Sequence, residues 1–349
     1  MPKTEKIESK GADKAPSPEK FEVKTVQKAL SKVDSYIQSA FKDGAWGYKP
    51  GESACIEPTA YCAIARRKDE KTRRQVIEFL SANQNQDGGW CTSPGIGKSD
   101  WTSGLALLAL RVLLKEDGGD DPKHAAAIDK AVSYLFEART EFYGALAKFL
   151  LLISKGDKGL NYPRGWPWSP GCFHWVEPTA YTLLALKLPS HVEKQDSKRV
   201  IERADNFLLE HACKDGGWNH GNDLCLNVFL PPYVVTTAEA LIALADQKSA
   251  DAVQHALKNL PNTIGYAGSA MSLAWVSIAQ KSHDLDASES IKMLIARQNE
   301  DGSFGPNLMV TALSMLALQA YLGDNVLKYR IERRGDLFSI RDLFLSLRA

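Results

Sequence analysis

Two kinds of helical pattern alternate along the chain from Val23 onward. The segments Val26–Phe41, Arg73–Gln84, His124–Arg139, Lys198–His211, Ala252–Leu260 and Ser288–Gln298 each pair an apolar stripe with a charged face. In the first, Leu30, Val33 and Ile37 recur at spacings of three and four, the period of an amphipathic helix. The segments Thr59–Ala65, Thr102–Leu113, Ala145–Ile153, Thr179–Leu186, Thr237–Ala245, Ser269–Ala279 and Thr311–Tyr321 are apolar nearly all round, the mark of a helix buried on every side. Alternation of β-branched residues is almost absent. Charged helices outside and apolar helices inside predict an all-α fold, an (α/α)6-type toroid in one domain over residues 22–349. Residues 1–21, mostly Lys, Glu, Ser, Pro and Ala without apolar periodicity, read as a flexible tail.

The turns repeat as well. Asp43-Gly44-Ala45-Trp46, Asp87-Gly88-Gly89-Trp90, Gly165-Trp166-Pro167-Trp168, Asp215-Gly216-Gly217-Trp218 and Asp301-Gly302-Ser303-Phe304 punctuate the chain, most of them ahead of a Thr-Ala or Thr-Ser that opens an Ala/Leu-rich helix. Units of about 40 to 50 residues are too small to bury their own apolar faces and must stack. Glycine supplies the left-handed conformation that stops each outer helix. Tryptophan is large enough to cover the helix ends between repeats. Pro58 and Pro178 fall where a first helical residue is expected. The stretch from Gly165 to Pro178 departs from the rule: no outer helix precedes it within reach, and Trp166, Trp168 and Trp175 crowd together. It is either a plug on the toroid or one wall of a cavity.

Composition narrows the function classes. With 349 residues and a formal net charge of +1, the chain has no global field for nucleic acid or anionic lipid. Its six cysteines are scattered without a Cys-x-x-Cys pair, and no secretory signal is seen, so reduced thiols in a cytoplasmic protein are expected. No apolar run is long enough to span a bilayer, which leaves peripheral membrane contact open.

The turn elements resemble the QW repeats of the terpenoid cyclase and protein prenyltransferase superfamily. Phe79-Leu80, Gln84, Gly88 and Trp90 match that pattern in full; Met293-Leu294, Gln298, Gly302 and Phe304 match with two replacements. Phe207-Leu208, Gly216 and Trp218, and Tyr36-Ile37, Gly44 and Trp46, match with Ala212 and Phe41 in place of Gln. The resemblance covers about Val23 to Leu322. It implies a single toroid such as a prenyltransferase β subunit or one cyclase domain, with an apolar hub that binds an isoprenoid or similar small molecule.

Three activities follow as expectations. A class II cyclase protonates an alkene with the central Asp of an Asp-x-Asp-Asp-Thr-Ala motif at an inner-helix start and needs no cofactor. Glu57 and Glu177, in Ile56-Glu57-Pro58-Thr59-Ala60 and Val176-Glu177-Pro178-Thr179-Ala180, fall where that Asp would sit, and Asp100 lies near a third such start. Burial keeps a proton on a carboxyl, which suits a general acid. The same glutamates also read as acidic helix caps worth about 0.3 to 1 kcal/mol. Glu177 is favoured as the acid because Trp166, Trp168, Phe173 and Trp175 precede it and aromatic faces stabilise carbocations. Tyr181 and Tyr233, with Arg164 as an anion anchor, complete the expected substrate contacts. A prenyltransferase β-like subunit would need zinc and an α partner; the local Cys and His candidates are Asp223-Leu224-Cys225 with His220, Cys172 with His174, and His211 with Cys213. The third reading is a non-catalytic repeat scaffold for a protein partner, with a filled centre. The basic run from Arg66 to Arg74 reads as a solvated connection. Asn222 to Tyr233 is too apolar for a solvated loop and reads as a lid or a hydrophobic contact.

Overall fold

A computed structural model of the chain describes residues 23–118, 122–138, 153, 164–188, 196–222, 224–263 and 268–328. Among them are six outer helices: α1 (Val23–Ser39), α3 (Glu70–Ala82), α5 (Pro122–Glu137), α7 (Ser197–Glu210), α9 (Asp251–Thr263) and α11 (Ser288–Ile295). Six inner helices alternate with them: α2 (Ile56–Ala65), α4 (Thr102–Glu116), α6 (Val176–Lys187), α8 (Val234–Ala243), α10 (Ala270–Ser282) and α12 (Leu308–Tyr321). Each inner helix packs on the next, and α12 packs back on α2, so the ring is closed. The toroid expected from the alternating patterns is the fold of the protein. Two two-stranded hairpins interrupt it, β1 (Trp166–Pro167) with β2 (His174–Trp175), and β3 (Leu224–Cys225) with β4 (Val228–Phe229).

The seams of the ring are built from one joint, repeated. The indole N–H of Trp46, Trp90, Trp166 and Trp218 donates to the carbonyl of Ile37, Leu80, Leu135 and Leu208, each in the last turns of an outer helix. The backbone N–H of each of these tryptophans donates to the hydroxyl of Thr59, Ser103, Thr179 or Thr237 in the following inner helix, and Phe304 uses Thr311 in the same way. One buried aromatic thus satisfies a helix-end carbonyl that would otherwise be orphaned. Gln84 then reaches forward to the carbonyl of Ala127 in α5, and Gln298 reaches to that of Ala29 in α1. The last repeat grips the first helix as an internal repeat grips its successor.

Four expectations change. Trp166 has an outer helix after all: it caps α5, but 31 residues separate it from Leu135 where the other joints span 9 or 10. The ring closes on six inner helices without Ala145–Ile153, of which all but the exposed Ile153 lies outside the described residues. The tail over residues 1–21 and Asp223 also lie outside them. Pro58 and Pro178 are third rather than first in their helices, tolerated there because a first-turn N–H has no intrahelical acceptor. The basic run is solvated only in part: Lys68, Lys71 and Arg74 are exposed, but Arg66, Arg67 and Arg73 are buried. Arg66 binds Asp34 and Asp69, Arg67 binds Asp324 and Glu116, and Arg73 binds Asp117. Arg67 thereby ties the first inner helix to the turn after the last.

Candidate functional site

Take the hydroxyl that receives each tryptophan amide as a register mark. Two residues beyond it stand Tyr61, Leu105, Tyr181, Glu239 and Leu313; two residues before it stand Glu57, Trp101, Glu177, Val235 and Met309. Positions four apart lie on one helix face, one turn above the other. The inner helices therefore present a mouth layer holding Glu57, Trp101 and Glu177, and a hub layer one turn deeper holding Tyr61, Tyr181 and Glu239.

The hub layer is an aromatic cluster with one acid. Rings from alternate inner helices meet there: Tyr61 of α2 lies edge-on to Trp275 of α10 at 6.0 Å between centroids, and Tyr181 of α6 stacks on Trp275 at 6.4 Å. The Tyr181 hydroxyl donates to Glu239 Oε1 at 2.6 Å. Glu239, in α8, is 1% exposed and has no ion pair among the described residues. Burial, and then the charges of Glu177 and Glu57, push its carboxyl well above the usual range; donation from Tyr181 opposes them. Neutrality is the state that burial favours for a carboxyl without a countercharge. Its Oε2, the Tyr61 hydroxyl and Trp275 Nε1 are all buried without a hydrogen-bond partner. The Tyr61 hydroxyl faces that of Tyr181 without reaching hydrogen-bond geometry. Nine-tenths or more of buried polar groups are paired, so three unpaired atoms in one contacting cluster set the hub apart from an ordinary core.

The mouth layer is polar on two sides and aromatic on a third. The Tyr48 hydroxyl donates to Glu57 Oε2 at 2.5 Å, and burial raises the Glu57 carboxyl against that bond. His220, half exposed, sits 3.0 Å from Glu177 Oε2 through Nδ1, between the rings of Trp175 and Tyr233. Trp101 packs edge-on against Trp168 at 4.7 Å and lies 5.9 Å from Tyr181, which joins mouth to hub.

The structure thus gathers Glu57, Glu177, Trp168, Trp175, Tyr181 and Tyr233 around one end of the ring, and gives the other candidates different tasks. Asp100 is committed to its own loop: Oδ2 accepts from Thr92 N and Oγ1, and Oδ1 accepts from Thr102 N and Oγ1. Trp166 is a buried cap rather than a wall. Phe173 projects into solvent on the β1–β2 hairpin, and the Arg164 backbone N–H is bound to the Arg203 carbonyl. The stretch expected to be a lid or a hydrophobic contact carries the β3–β4 hairpin, turned by Leu226 and Asn227 at positive φ, with Leu226 93% exposed at its tip. No group of three or more His, Cys, Asp or Glu able to hold a metal forms among the described residues, so the residues found there do not fit a zinc site. Glu239 was missed in the sequence. Its one signal is a lone carboxylate within Val234–Ala243, a helix otherwise free of charge.

No protein-family model matches the sequence, and a search of curated proteins finds no match. Solved structures do match. The type II terpene cyclase MstE from Scytonema, in a variant bound to its substrate geranylgeranyl dihydroxybenzoate, is 15% identical; the match covers 86% of this chain and 99% of that one, with a TM-score of 0.60. Apo MstE is 14% identical over 86% and 99% of the two chains, with a TM-score of 0.58. A glycosidase variant in complex with glucose is 13% identical over 86% and 98%, also with a TM-score of 0.58. At such identities the likeness is one of fold: this chain has the αα toroid that these cyclase and glycosidase structures share.

Proposed function

We propose that the protein is a proton-initiated, type II terpene cyclase-like enzyme acting on an isoprenoid chain, with Glu239 as the acid. The observation that carries the proposal is the buried Glu239 with an unpaired Oε2 inside a shell of Tyr61, Tyr181 and Trp275. Oε1 accepts from Tyr181, which strengthens the acid, and the proton leaves from Oε2. The faces of Trp275 and the two tyrosines then stabilise the carbocation, by about 2 kcal/mol or more at a desolvated site. Glu177, favoured from the sequence, gives up that role because it is less buried and already paired with His220. The bound isoprenoid of MstE supports the substrate class.

The rings of α2, α6 and α10 meet across the hub, as a scaffold would have it. A scaffold gives no reason for three unpaired polar atoms at that point. A second reading, glycoside hydrolysis, draws on the two mouth carboxylates Glu57 and Glu177. The test is incubation in D2O with linear prenyl alcohols and prenylated aromatic acids, and separately with aryl glycosides. Cyclised product carrying one solvent deuterium, with turnover cut by about 10²- to 10⁴-fold in Glu239→Gln, is expected. Glycoside cleavage without cyclisation would replace the proposal.

A further inference from the structure

An acid buried to this degree must recover its proton after each turnover, and the mouth layer offers a path. The two copies of Glu-Pro-Thr-Ala-Tyr, Glu57 to Tyr61 and Glu177 to Tyr181, each set a glutamate one helical turn above a hub tyrosine. Two such ladders converge on the Glu239 region, but they are not equivalent. Below Glu57, the Tyr61 hydroxyl is unpaired and has no hydrogen bond to Glu239. Below Glu177, the Tyr181 hydroxyl is bonded to Glu239 Oε1 at 2.6 Å. Above Glu57 stands Tyr48, less exposed than His220, its hydroxyl donating to Glu57 Oε2. Above Glu177 stands His220, half exposed and 3.0 Å away, with a side chain suited to carry protons at physiological pH.

Resting on the reading of Glu239 as the acid, we propose that His220, Glu177 and Tyr181 form the proton inlet that recharges it. Protonated His220 passes its Nδ1 proton to Glu177 Oε2. Glu177 passes a proton from its carboxyl to the Tyr181 oxygen as Tyr181 gives its own to Glu239 Oε1, the Glu239 carboxyl then turns to bring that proton to the position it left from, and His220 takes a replacement from water. One proton enters from solvent and one arrives at Glu239; no group is left changed. His220 and Glu177 act as relay residues and touch no substrate. The inlet also accounts for the solvent-facing histidine held between Trp175 and Tyr233, which the acid alone does not require.

The test needs no substrate. Infrared difference spectra of the full-length protein against Glu239→Gln identify the carbonyl stretch of the protonated Glu239, and rapid dilution into D2O times its isotopic shift. His220→Ala, a change at an exposed side chain, is expected to slow that exchange at least tenfold while the band persists, and added imidazole is expected to restore it. Glu177→Gln is expected to slow it without rescue. If Glu239→Gln removes no protonated-carboxyl band, the acid reading falls and the inlet with it. If the band is present but exchanges at the wild-type rate in His220→Ala, or slows without imidazole rescue, the inlet is overturned and the acid reading stands. Slowing in Glu57→Gln but not in Glu177→Gln would assign the path to the other ladder and overturn this one.

Discussion

Glu239 has no countercharge among the described residues, and that has a thermodynamic signature. Its folded carboxyl titrates above the ordinary value of 4.5. The folded state therefore binds the proton more tightly than the unfolded chain does. The stability this contributes is complete below pH 4.5 and is lost as pH rises through the raised folded value. Urea denaturation across a pH series should show the stability difference between wild type and Glu239→Gln moving in favour of the variant as pH rises. A difference that stays flat with pH would mean that Glu239 titrates as an exposed carboxyl.

At the scale of the element, four of the six inner helices carry in their first turn a hydroxyl that holds a tryptophan. Thr179 Oγ1 accepts the Trp166 backbone N–H at 2.8 Å, fully buried. Thr179→Val keeps the shape and removes the acceptor, so it should cost about 1 to 3 kcal/mol. The check is a lower denaturant midpoint at an unchanged m-value. These joints explain what the sequence made legible. Trp46, Trp90 and Trp218 sit 9 or 10 residues after the carbonyls they cap, close enough for a repeat to be read. Trp166 sits 31 residues after its own, and that distance hid an ordinary cap behind an apparent anomaly. Arg66, Arg67 and Arg73 looked like a solvated charge run because their partners Asp34, Asp324 and Asp117 are remote in the sequence or on another element. Glu239 could not be read as the acid for a related reason. Its meaning comes from Tyr181, 58 residues away, and from the rings of helices across the ring. The mouth glutamates were visible because they belong to a local motif; the hub belongs to no motif.

At the scale of the molecule, the closing seam can be tested against an internal one. Gly88 has φ +92, and a Cβ there would stand 2.4 Å from the Lys130 carbonyl oxygen of α5. Gly302 has φ +94, and a Cβ there would stand 2.4 Å from the Lys32 carbonyl oxygen of α1. Both close approaches are to backbone, and both positive dihedrals strain any L side chain by roughly 1 to 2 kcal/mol. Gly88→Ala and Gly302→Ala should therefore destabilise the protein by similar amounts, measured by thermal or chemical unfolding. A costly Gly88→Ala beside a silent Gly302→Ala would mean that the first and last repeats do not lock. The joint made by Gln298 on Ala29 has a wider meaning. The clasp that shuts the circle is thus of the same make as the one Gln84 forms inside it, so closure asks for no special device of its own.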